Sequence, residues 1–596
     1  MRYDNIVEGI FIERPNRFIA KVLIDGVEET VHVKNTGRCK ELLTPAAKLY
    51  LEKSSNPTRA TAYDLIAVEK GNRTVNMDSQ APNLAVGEWL RGGGLVPNPT
   101  LVRPETKYRN SRFDFYVETG DEKIFIEVKG VTLEEDGVVR FPDAPSDRAV
   151  KHVEELVEAK ENGYRVFVLF VIQMQGVKYF TPNTDTHPAF AKALEEASKK
   201  GVEVLAYDCL VTPSTMTIGK PVQVIMPGDL KAYRIREISA PLLVWYDRAK
   251  RSLPWRENPN PYWVWVSEIM LQQTRVEAVK SYFARFMDAL PTIHDLAVAK
   301  EEKLLKLWEG LGYYNRVRNL QKAAIQIEEM FDGDMPCEYE QLRSLSGIGS
   351  YTAGAISSIA FGKKAPAVDG NVLRVLSRVH RDDRNISLEK VKKEVEQEVL
   401  AGMPADRPGD FNQAMMDLGA CVCLPNGAPL CGECPLQEKC IAHREGVEEE
   451  YPKKESKKPR KIEKKTVLVV RDNDKLAIKK RPIKGLLAGL YEFPSLPGHL
   501  TADEVVAYLS EHGMKILHIQ RTEDAKHIFT HKEWHMRGYQ VKVDELEVPS
   551  PSGDVKEWIF SMPGEIETVY PIPSAFNAFT KLLHMKQGME KTKEHD

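Results

Sequence analysis

The feature that most constrains this chain is a group of four cysteines within eighteen residues, Cys423, Cys431, Cys434 and Cys440. The chain has 596 residues and eight cysteines, and five of the cysteines fall between residues 421 and 440. A disulfide scaffold is typical of small secreted domains. Clustered cysteines in a long chain are more often metal ligands. The segment is therefore predicted to fold around a metal centre.

Two kinds of metal centre suit four cysteines. A cubane [4Fe–4S] cluster takes four thiolates that converge on one compact group. Zinc is also bound by four cysteines, but zinc ribbons usually carry two C-x2-C pairs and this segment carries one. The spacing favours one iron–sulfur cluster per chain, with zinc as the alternative. Cys421, the spare cysteine of the segment, is interpreted as packed core.

Composition sets the frame for the rest of the chain. Its length predicts three or four domains, and 42% hydrophobic with 28% charged residues lets each domain bury a core. The formal net charge is −3, so a DNA-binding surface has to be a local basic patch. No apolar run reaches the length of a membrane span and no signal-peptide pattern opens the chain. We expect a monomer in the bacterial cytoplasm, acting at the nucleoid and not at a membrane.

Residue patterns divide the chain into four parts. Residues 1–228 read as β-rich and then mixed α/β, up to a Pro/Gly break at 226–229. Residues 238–445 read as almost wholly helical. Residues 446–465 include the basic run PKKESKKPRKIEKK, which is predicted to be a solvated linker that can also touch phosphate. Residues 466–585 read as mixed α/β.

A candidate phosphate-binding turn lies in LSGIGSYTAGAISSIAFG, residues 345–362. Its form is helix, Gly-x-Gly turn, helix. Gly347 and Gly349 permit a tight turn whose backbone N–H groups face outward at the start of the second helix. That geometry binds a phosphate without reading the base sequence.

Two carboxylates stand among apolar neighbours, Glu268 in VWVSEIMLQQT and Asp369 in APAVDGNVLRVLSR. Acidic groups in such settings tend to have shifted pKa values and functional roles. Cleavage of an N-glycosidic bond needs an anion beside the cationic sugar and an acid for the leaving base. The pair therefore suits that reaction.

These residues lie in the strings LPWRENPNPYWVWVSEIMLQQT, LWEGLGYYNRVRNL, VDGNVLRVLSR and FNQAMMDLGA, followed by the cysteines. Residues 238–445 thus resemble the helix–hairpin–helix glycosylases with a Gly/Pro-Asp loop, and among them the MutY adenine DNA glycosylases. The resemblance implies that Glu268 protonates adenine and later handles water, that Asp369 stabilises the cationic sugar, and that Asn371 positions Asp369 or water. Tyr351 stands where bifunctional relatives carry a Schiff-base lysine, which implies a monofunctional glycosylase.

The resemblance also implies how DNA is held. The target base must leave the duplex, and the pair Gln272 and Gln273, with Gln273 favoured, matches the residue that fills the gap. Tyr313 matches a wedge beside the orphaned guanine, and Thr274 matches a contact to that guanine. The implied partner is double-stranded DNA with adenine opposite 8-oxoguanine or guanine. The loop LPNGAPL between the first two cysteines has no Lys or Arg, so its phosphate contact would have to come from the backbone.

Residues 466–585 resemble the Nudix-like recognition domain of the same family, through GLLAGLYEFP. The metal-binding REUxEE run of catalytic Nudix enzymes is missing from the sequence, so no pyrophosphohydrolase activity is implied. Phe529, Thr530 and His531 match a Phe-Ser-His loop that recognises 8-oxoguanine. Thr supplies the hydroxyl that Ser supplies there.

Residues 1–228 resemble the sugar fermentation stimulation protein A family, through VHVKNTGRCKELL, SRFDFYVE, FIEVKGVTL and FPDAPSDRAVKHVEEL. That family implies an OB-like barrel over 1–80 and a PD-(D/E)xK nuclease-like α/β domain over 81–228. Asp114, Glu127 and Lys129 match the motif of that domain, and Glu88 is a further candidate ligand. Such carboxylates can bind Mg²⁺, so a metal-dependent nuclease and a DNA-binding tether or regulator both stay open.

Two rivals to the adenine glycosylase remain. One is a helix–hairpin–helix glycosylase that removes another base, which Tyr351 and the Phe529–His531 loop disfavour. The other is a DNA-binding regulator with a retired active site, which the presence of both Glu268 and Asp369 disfavours.

Overall fold

The computed structural model describes residues 1–35, 37–56, 58–109, 111–455, 459–544, 546 and 557–585. The chain forms two compact units, Met1–Tyr233 and Arg234–Asp596, which are described separately. Among the described residues, none of the helices is both long and apolar enough to cross a bilayer.

The first unit begins with a closed barrel. Its strands are β1 (Ile6–Asn16), β2 (Ile19–Ile24), β3 (Val27–Val33), β4 (Lys48–Lys53) and β5 (Tyr63–Lys70), with β6 (Arg73–Asn76) added at the edge. The strand order is β3-β2-β1-β4-β5-β6, and pairing of β3 with β5 closes the first five strands. Inward residues such as Val22, Val31 and Leu49 are fully buried. The predicted OB-like barrel is confirmed.

An α/β domain completes the first unit. Its elements are α1 (Ala81–Arg91), β7 (Leu101–Tyr108), β8 (Ser111–Thr119), β9 (Glu122–Val131), β10 (Glu134–Glu135), β11 (Val138–Phe141), α2 (Asp147–Glu161), β12 (Arg165–Ile172), β13 (Tyr179–Pro182), α3 (Pro188–Lys199), β14 (Glu203–Thr212) and β15 (Thr215–Val222). The main sheet has the order β15-β14-β12-β9-β8-β7. Its central strands β9, β12 and β14 run parallel and are strongly apolar, as expected for strands covered on both faces.

The second unit opens with helices. They are α4 (Leu230–Ala249), α5 (Pro254–Glu257), α6 (Pro261–Leu271), α7 (Val276–Ala289), α8 (Ile293–Val298), α9 (Glu301–Leu307), α10 (Asn315–Phe331), α11 (Tyr339–Ser344), α12 (Ser350–Ala355), α13 (Gly370–His380), α14 (Glu389–Gly402), α15 (Pro408–Cys421) and α16 (Ile441–Glu445). The Pro/Gly break at 226–229 is a 3₁₀ turn, Pro227–Asp229, directly followed by α4. The helical part thus begins at Leu230, ahead of the expected residue 238.

These helices form two hydrophobic cores. The first is built around Trp265, Phe283 and Trp308 and includes residues of α6, α7 and α10. The second is built from α4, α13, α14 and α15, with Phe411 and Leu418 fully buried. Trp255 and Val264 of the first core and Met416, which packs against the second, line one cleft, so this concave site lies where the two helical layers meet.

The C-terminal part is α/β. It contains β16 (Lys461–Arg471), β17 (Leu476–Lys480), β18 (Tyr491–Glu492), β19 (Ser495–Pro497), α17 (Ala502–Glu511), β20 (Ile516–Arg521), β21 (Ala525–Ile528), β22 (Lys532–Val543), β23 (Trp558–Ser561), α18 (Pro563–Val569) and α19 (Asn577–Leu582). Strand β16 starts at Lys461, inside the expected linker, because Glu463 accepts hydrogen bonds from Lys532 and Trp534 of the parallel strand β22. Residues 456–458 of the linker lie outside the described residues.

Candidate active sites

Glu268 lies on α6 and is 6% exposed, packed beside Trp265 and Ile269. Its Oε2 accepts a 2.6 Å hydrogen bond from the hydroxyl of Tyr351 on α12. Burial raises the pKa of Glu268 to about 7, the negative charge of Asp369 adds to that rise, and the Tyr351 hydrogen bond opposes it. A carboxyl group with this pKa exchanges a proton at neutral pH.

Asp369 is the N-cap of α13. Its Oδ1 accepts hydrogen bonds from the backbone N–H groups of Asn371 (2.9 Å) and Val372 (2.8 Å), and its Oδ2 accepts one from the Asn371 side chain at 2.7 Å. Burial raises the pKa of Asp369, while these hydrogen bonds lower it. The helix N-terminus fixes the carboxylate in one orientation and favours its charge.

One cleft of about 860 Å³ brings most of the predicted glycosylase residues together. Its lining includes Glu268, Tyr351, Asp369, Asn371, Gln272, Gln273, Thr274, Gly347 and Gly349. The volume falls within the range of small-molecule binding pockets. The sequence pattern did not reveal Arg256, which lines the same cleft and faces Glu268 while bound to Asp417 at 2.7 Å.

The Gly-x-Gly turn lies between α11 and α12, as predicted. Gly347 has φ +76°, and an added Cβ there would come within 2.6 Å of the Asn319 side chain. Gly349 is the N-cap of α12 and has open space around its Cα. The turn therefore requires glycine at Gly347 for conformation and packing, and it leaves the backbone at Gly349 accessible.

Tyr313 lies outside that cleft and contacts the C-terminal part. Its hydroxyl is 3.1 Å from Oγ1 of Thr530. Tyr313, Phe529, Thr530 and His531 line a second cleft of about 500 Å³ between the helical part and the C-terminal part. Phe529 packs edge-on against Trp534, with ring centroids 4.8 Å apart. The predicted recognition loop and the predicted wedge residue thus share one site.

All four cysteines of the array line one small pocket. Burial, together with the charges of the other three thiols, raises the pKa of Cys434 to about 12. Four thiolates can share this pocket only around a cation, and the donor set therefore fits a metal centre. Arg378 Nη1 lies 3.1 Å from Cys423 Sγ.

Two further side chains at this pocket were missed in the sequence. Ligand atoms of Cys431, His443 and Glu448 lie within 4.8 Å of one another, so these three residues could also hold a metal ion. The interpretation of Cys421 as packed core is wrong, because it is exposed at the end of α15. Successive side chains of a helix point about 100° apart. Cys421 can therefore face solvent although the next residue, Val422, is buried.

An arginine connects the cysteine pocket with the carboxylate site. Arg374 donates to the carbonyl of Cys423 at 2.9 Å through Nε and to Oδ1 of Asn371 at 2.9 Å through Nη2. Asn371 in turn donates to Asp369. The backbone of a metal-ligand candidate is therefore linked to Asp369 through two side chains.

In the first unit, Asp114 on β8 and Glu127 and Lys129 on β9 come together. Oδ2 of Asp114 accepts from the backbone N–H of Val128 at 2.7 Å, and Lys129 Nζ donates to Glu127 Oε1 at 2.6 Å. Burial raises the pKa of Asp114, and the charge of Glu127 adds to that rise. The two carboxylates are thus near enough to interact.

The first unit adds one residue to this group. His152 on α2 is hydrogen-bonded through Nδ1 to Glu127 Oε1. Burial would raise the pKa of Glu127, but His152 and Lys129 outweigh it and lower that pKa. No local pattern indicated His152, because its contact with Glu127 depends on the packing of α2 against β9. Glu88, the further candidate ligand, lies on α1 and accepts a 2.7 Å hydrogen bond from the amino group of Met1.

Four family models match the chain. They are the sugar fermentation stimulation protein N-terminal OB domain (residues 12–77), the sugar fermentation stimulation protein RE domain (80–215), the HhH-GPD superfamily base excision DNA repair protein (266–400) and the NUDIX domain (466–582). The four matches follow one another along the chain without overlap.

Relatives with high identity match the first unit. A sugar fermentation stimulation protein homolog of Ruminiclostridium cellulolyticum is 58% identical over 224 residues, which is 38% of this chain and 99% of that protein. One of Clostridium beijerinckii is 55% identical over 226 residues, which is 38% of this chain and 100% of that protein.

Among solved structures, two examples are each 26% identical to this chain. One is Pyrococcus furiosus SfsA in complex with Ca²⁺, with a TM-score of 0.35 and coverage of 38% and 98%. The other is a non-covalent Endonuclease III–DNA complex, with a TM-score of 0.32 and coverage of 36% and 98%.

Proposed function

Because the chain belongs to the sugar fermentation stimulation protein family by its first unit and carries an HhH-GPD base excision DNA repair domain in its second, we propose that it removes adenine mispaired with 8-oxoguanine or guanine in duplex DNA. The observation that carries this proposal is the pair of carboxyl groups in one cleft. Glu268 has a pKa of about 7, and Asp369 is held by the N-terminus of α13.

The two groups suit the two needs of glycosidic hydrolysis. The protonated form of Glu268 can donate to a nitrogen of the departing base, which would otherwise leave as a poor anion. Asp369 in its charged form can stabilise positive charge on the sugar. After the base has left, the ionised Glu268 can take a proton from the attacking water. Tyr351 cannot form a Schiff base, which supports hydrolysis without strand cleavage.

The second cleft supports adenine opposite a damaged guanine as the substrate. Tyr313 and Thr530 are hydrogen-bonded there, with Phe529 and His531 beside them. Aromatic faces and donor groups of this kind can stack on a base and bind its polar edge. The base opposite the extruded adenine could bind in this cleft while Glu268 protonates the adenine in the main cleft.

The four cysteines would hold a [4Fe–4S] cluster. Bound there, the cluster would supply four strong metal–thiolate bonds that order the loop between Cys423 and Cys440. Arg378 would neutralise part of the charge at Cys423.

The test is a panel of labelled duplexes containing A:8-oxoguanine, A:G, A:T, T:G and U:G pairs, followed by alkali to break any abasic strand. We expect release of adenine from the first two duplexes only. Glu268→Gln should slow single-turnover release at least about 100-fold, while Glu257→Gln, an exposed change on α5, should not. Release of a pyrimidine in preference to adenine would refute the proposed substrate.

A second candidate function belongs to the first unit, a divalent-metal-dependent nuclease. The favouring observation is that Glu127 Oε2 is buried and has no hydrogen-bond partner among the described residues, although Oε1 has two. A buried carboxylate oxygen without a partner is costly, and a hard cation such as Mg²⁺, shared with Asp114, would satisfy it. Lys129 could then face a phosphate.

Base removal leaves an abasic site that still needs incision, and a nuclease in the same chain would act at high effective concentration. Binding of Mn²⁺ and nicking of abasic, single-stranded or RNA substrates should both be lost in Asp114→Asn/Glu127→Gln. Glu122→Gln, which alters the exposed start of β9, should keep both. If the wild-type chain nicks none of these substrates with any divalent metal, the unit is a DNA-binding tether.

A further inference from the structure

A single side chain, that of Arg316, joins the two turns that carry Gln273 and Tyr313. Arg316 lies in the first turn of α10. Its Nη1 donates to three carbonyl oxygens, those of Ile269 (2.9 Å), Met270 (2.9 Å) and Gln272 (2.6 Å). Its Nη2 donates to two more, those of Leu311 and Gly312, both at 3.0 Å.

The first set of carbonyls marks the end of α6. The last carbonyls of a helix have no intrahelical partner, and a cation there also meets the negative end of the helix dipole. Arg316 therefore caps α6 from a different helix. The second set of carbonyls directly precedes Tyr313. The same guanidinium therefore binds the backbone at the end of α6 and the backbone just before Tyr313.

Both turns contain a non-glycine residue in the left-handed region. Gln273 has φ +59° and Tyr313 has φ +48°. Such backbone conformations are uncommon outside glycine, and they persist only where the surroundings determine them. The bonds from Arg316 to the carbonyls that directly precede Gln273 and Tyr313 supply that constraint. These two residues are also the ones that, according to the family resemblance, enter DNA.

The chemistry of this position is specific to arginine. A guanidinium presents several N–H groups in a rigid plane, whereas a lysine offers one compact ammonium. The Arg316 guanidinium also lies over the rings of Trp308 (5.3 Å) and Tyr313 (5.6 Å). Burial lowers the pKa of Arg316 to about 10, so the side chain remains charged at neutral pH.

We propose that Arg316 is a positioning residue that holds the Gln272–Thr274 turn and the Tyr313 turn at a fixed separation, so that Gln273 and Tyr313 enter duplex DNA as one preformed wedge. This inference rests on the proposed glycosylase function. Arg316 touches neither Glu268 nor Asp369 in any hydrogen bond of the described residues, and its role is confined to extrusion of the base.

The test compares Arg316→Lys with Arg285→Lys in the full chain. Arg285 donates to one carbonyl, that of Leu307, and serves as the matched control. Hydrogen exchange followed by mass spectrometry reports on peptides covering residues 269–276 and 308–315. Single-turnover adenine release is measured from an A:8-oxoguanine duplex and from an unpaired adenine in a bulge. A 2-aminopurine beside the mismatch reports unstacking by fluorescence.

For Arg316→Lys we expect faster exchange in both peptides and about tenfold slower unstacking and release from the paired duplex. Release from the bulge should change less than about threefold, because that base needs no extrusion. If both peptides of Arg316→Lys exchange as slowly as in the wild type, or if release slows equally on both substrates, the inference is overturned.

If wild-type protein releases no adenine at all, the proposed function fails. The exchange rates of the two peptides then still show whether Arg316 holds the two turns. If Arg316→Lys does not fold, the double variant Arg316→Lys/Gln273→Gly should recover folding, since glycine accepts the positive φ freely. A double variant that also fails to fold would contradict the proposed role of Arg316 in holding the turns.

Discussion

Tyr351 donates a 2.6 Å hydrogen bond to Oε2 of Glu268, a residue 83 positions earlier in the chain. The bond spans α12 and α6 at the centre of the main cleft. It favours the charged form of a carboxyl group that burial pushes toward the neutral form. The proton affinity of Glu268 is thus set by opposing features of the tertiary structure: burial and the charge of Asp369 raise its pKa, and the Tyr351 hydrogen bond lowers it.

Removing this bond should shift the pH dependence of base release. In Tyr351→Phe the carboxylate loses its donor, so the pKa of Glu268 should rise above about 7. One hydrogen bond to a charged group corresponds to about one pH unit. Release needs protonated Glu268, so the rate should fall with rising pH, and in the variant that fall should occur about one unit higher. Single-turnover rates between pH 5 and 9 check this, and an unmoved profile would contradict the assignment of Glu268 as the acid.

The same pKa predicts how stability changes with pH. The pKa of Glu268 is raised in the folded state, so its contribution is fully present below the unfolded value and is lost as pH rises through about 7. Wild-type protein should lose up to about 3 kcal/mol from this group over that window. Glu268→Gln should lack this component. Urea unfolding at several pH values checks the difference, with Glu257→Gln as a control that should follow the wild type.

The cysteine pocket predicts metal content. Purified protein should be brown, with broad visible absorption and about four irons per chain. Cys434→Ser should lose iron and stability, since a ligand is removed. Cys421→Ser should retain both, because Cys421 is exposed. Stoichiometric zinc without iron in protein prepared without oxygen would show that the pocket is a zinc site.

Changes in the second cleft should alter the preference for A:8-oxoguanine over A:G and leave the rate of bond cleavage nearly unchanged. Phe529→Ala with His531→Ala should reduce the ratio of release rates for A:8-oxoguanine over A:G about tenfold or more, since one base contact typically contributes a few kcal/mol. Both carboxylates lie in the other cleft, so release from A:G should change little.

The contact of Tyr313 with Thr530 allows a finer test. Tyr313→Phe and Thr530→Val each remove the 3.1 Å hydrogen bond, so the double variant should lose no more preference than either single variant. Additive losses would show that the two residues act separately.

Several conclusions could be reached from the sequence because they depend on residue type and short spacing. Four cysteines within eighteen residues can converge through their own connecting loops. The turn before α12 could be predicted because glycine adopts a φ of +76°, as Gly347 does, more readily than any other residue. The helical part follows from a periodic pattern, which reflects burial of one face of each helix. The barrel was implied by the family resemblance of residues 1–80, since the residue pattern alone indicated only a β-rich segment.

Other features depend on contacts between segments far apart in the chain, and no local pattern encodes them. Tyr313 meets Thr530 across 217 residues, and Glu88 pairs with the amino group of Met1. His152 reaches Glu127 because α2 packs on the sheet that contains β9. The sequence analysis did not single out Arg316, because three of the five carbonyls around it come from the end of α6. The residue types and their spacing thus determined which chemistry the chain can perform. Only the packing of helices and strands decided which groups lose water, which pKa values shift and which turns are held, because burial and charge–charge distance are properties of the folded chain.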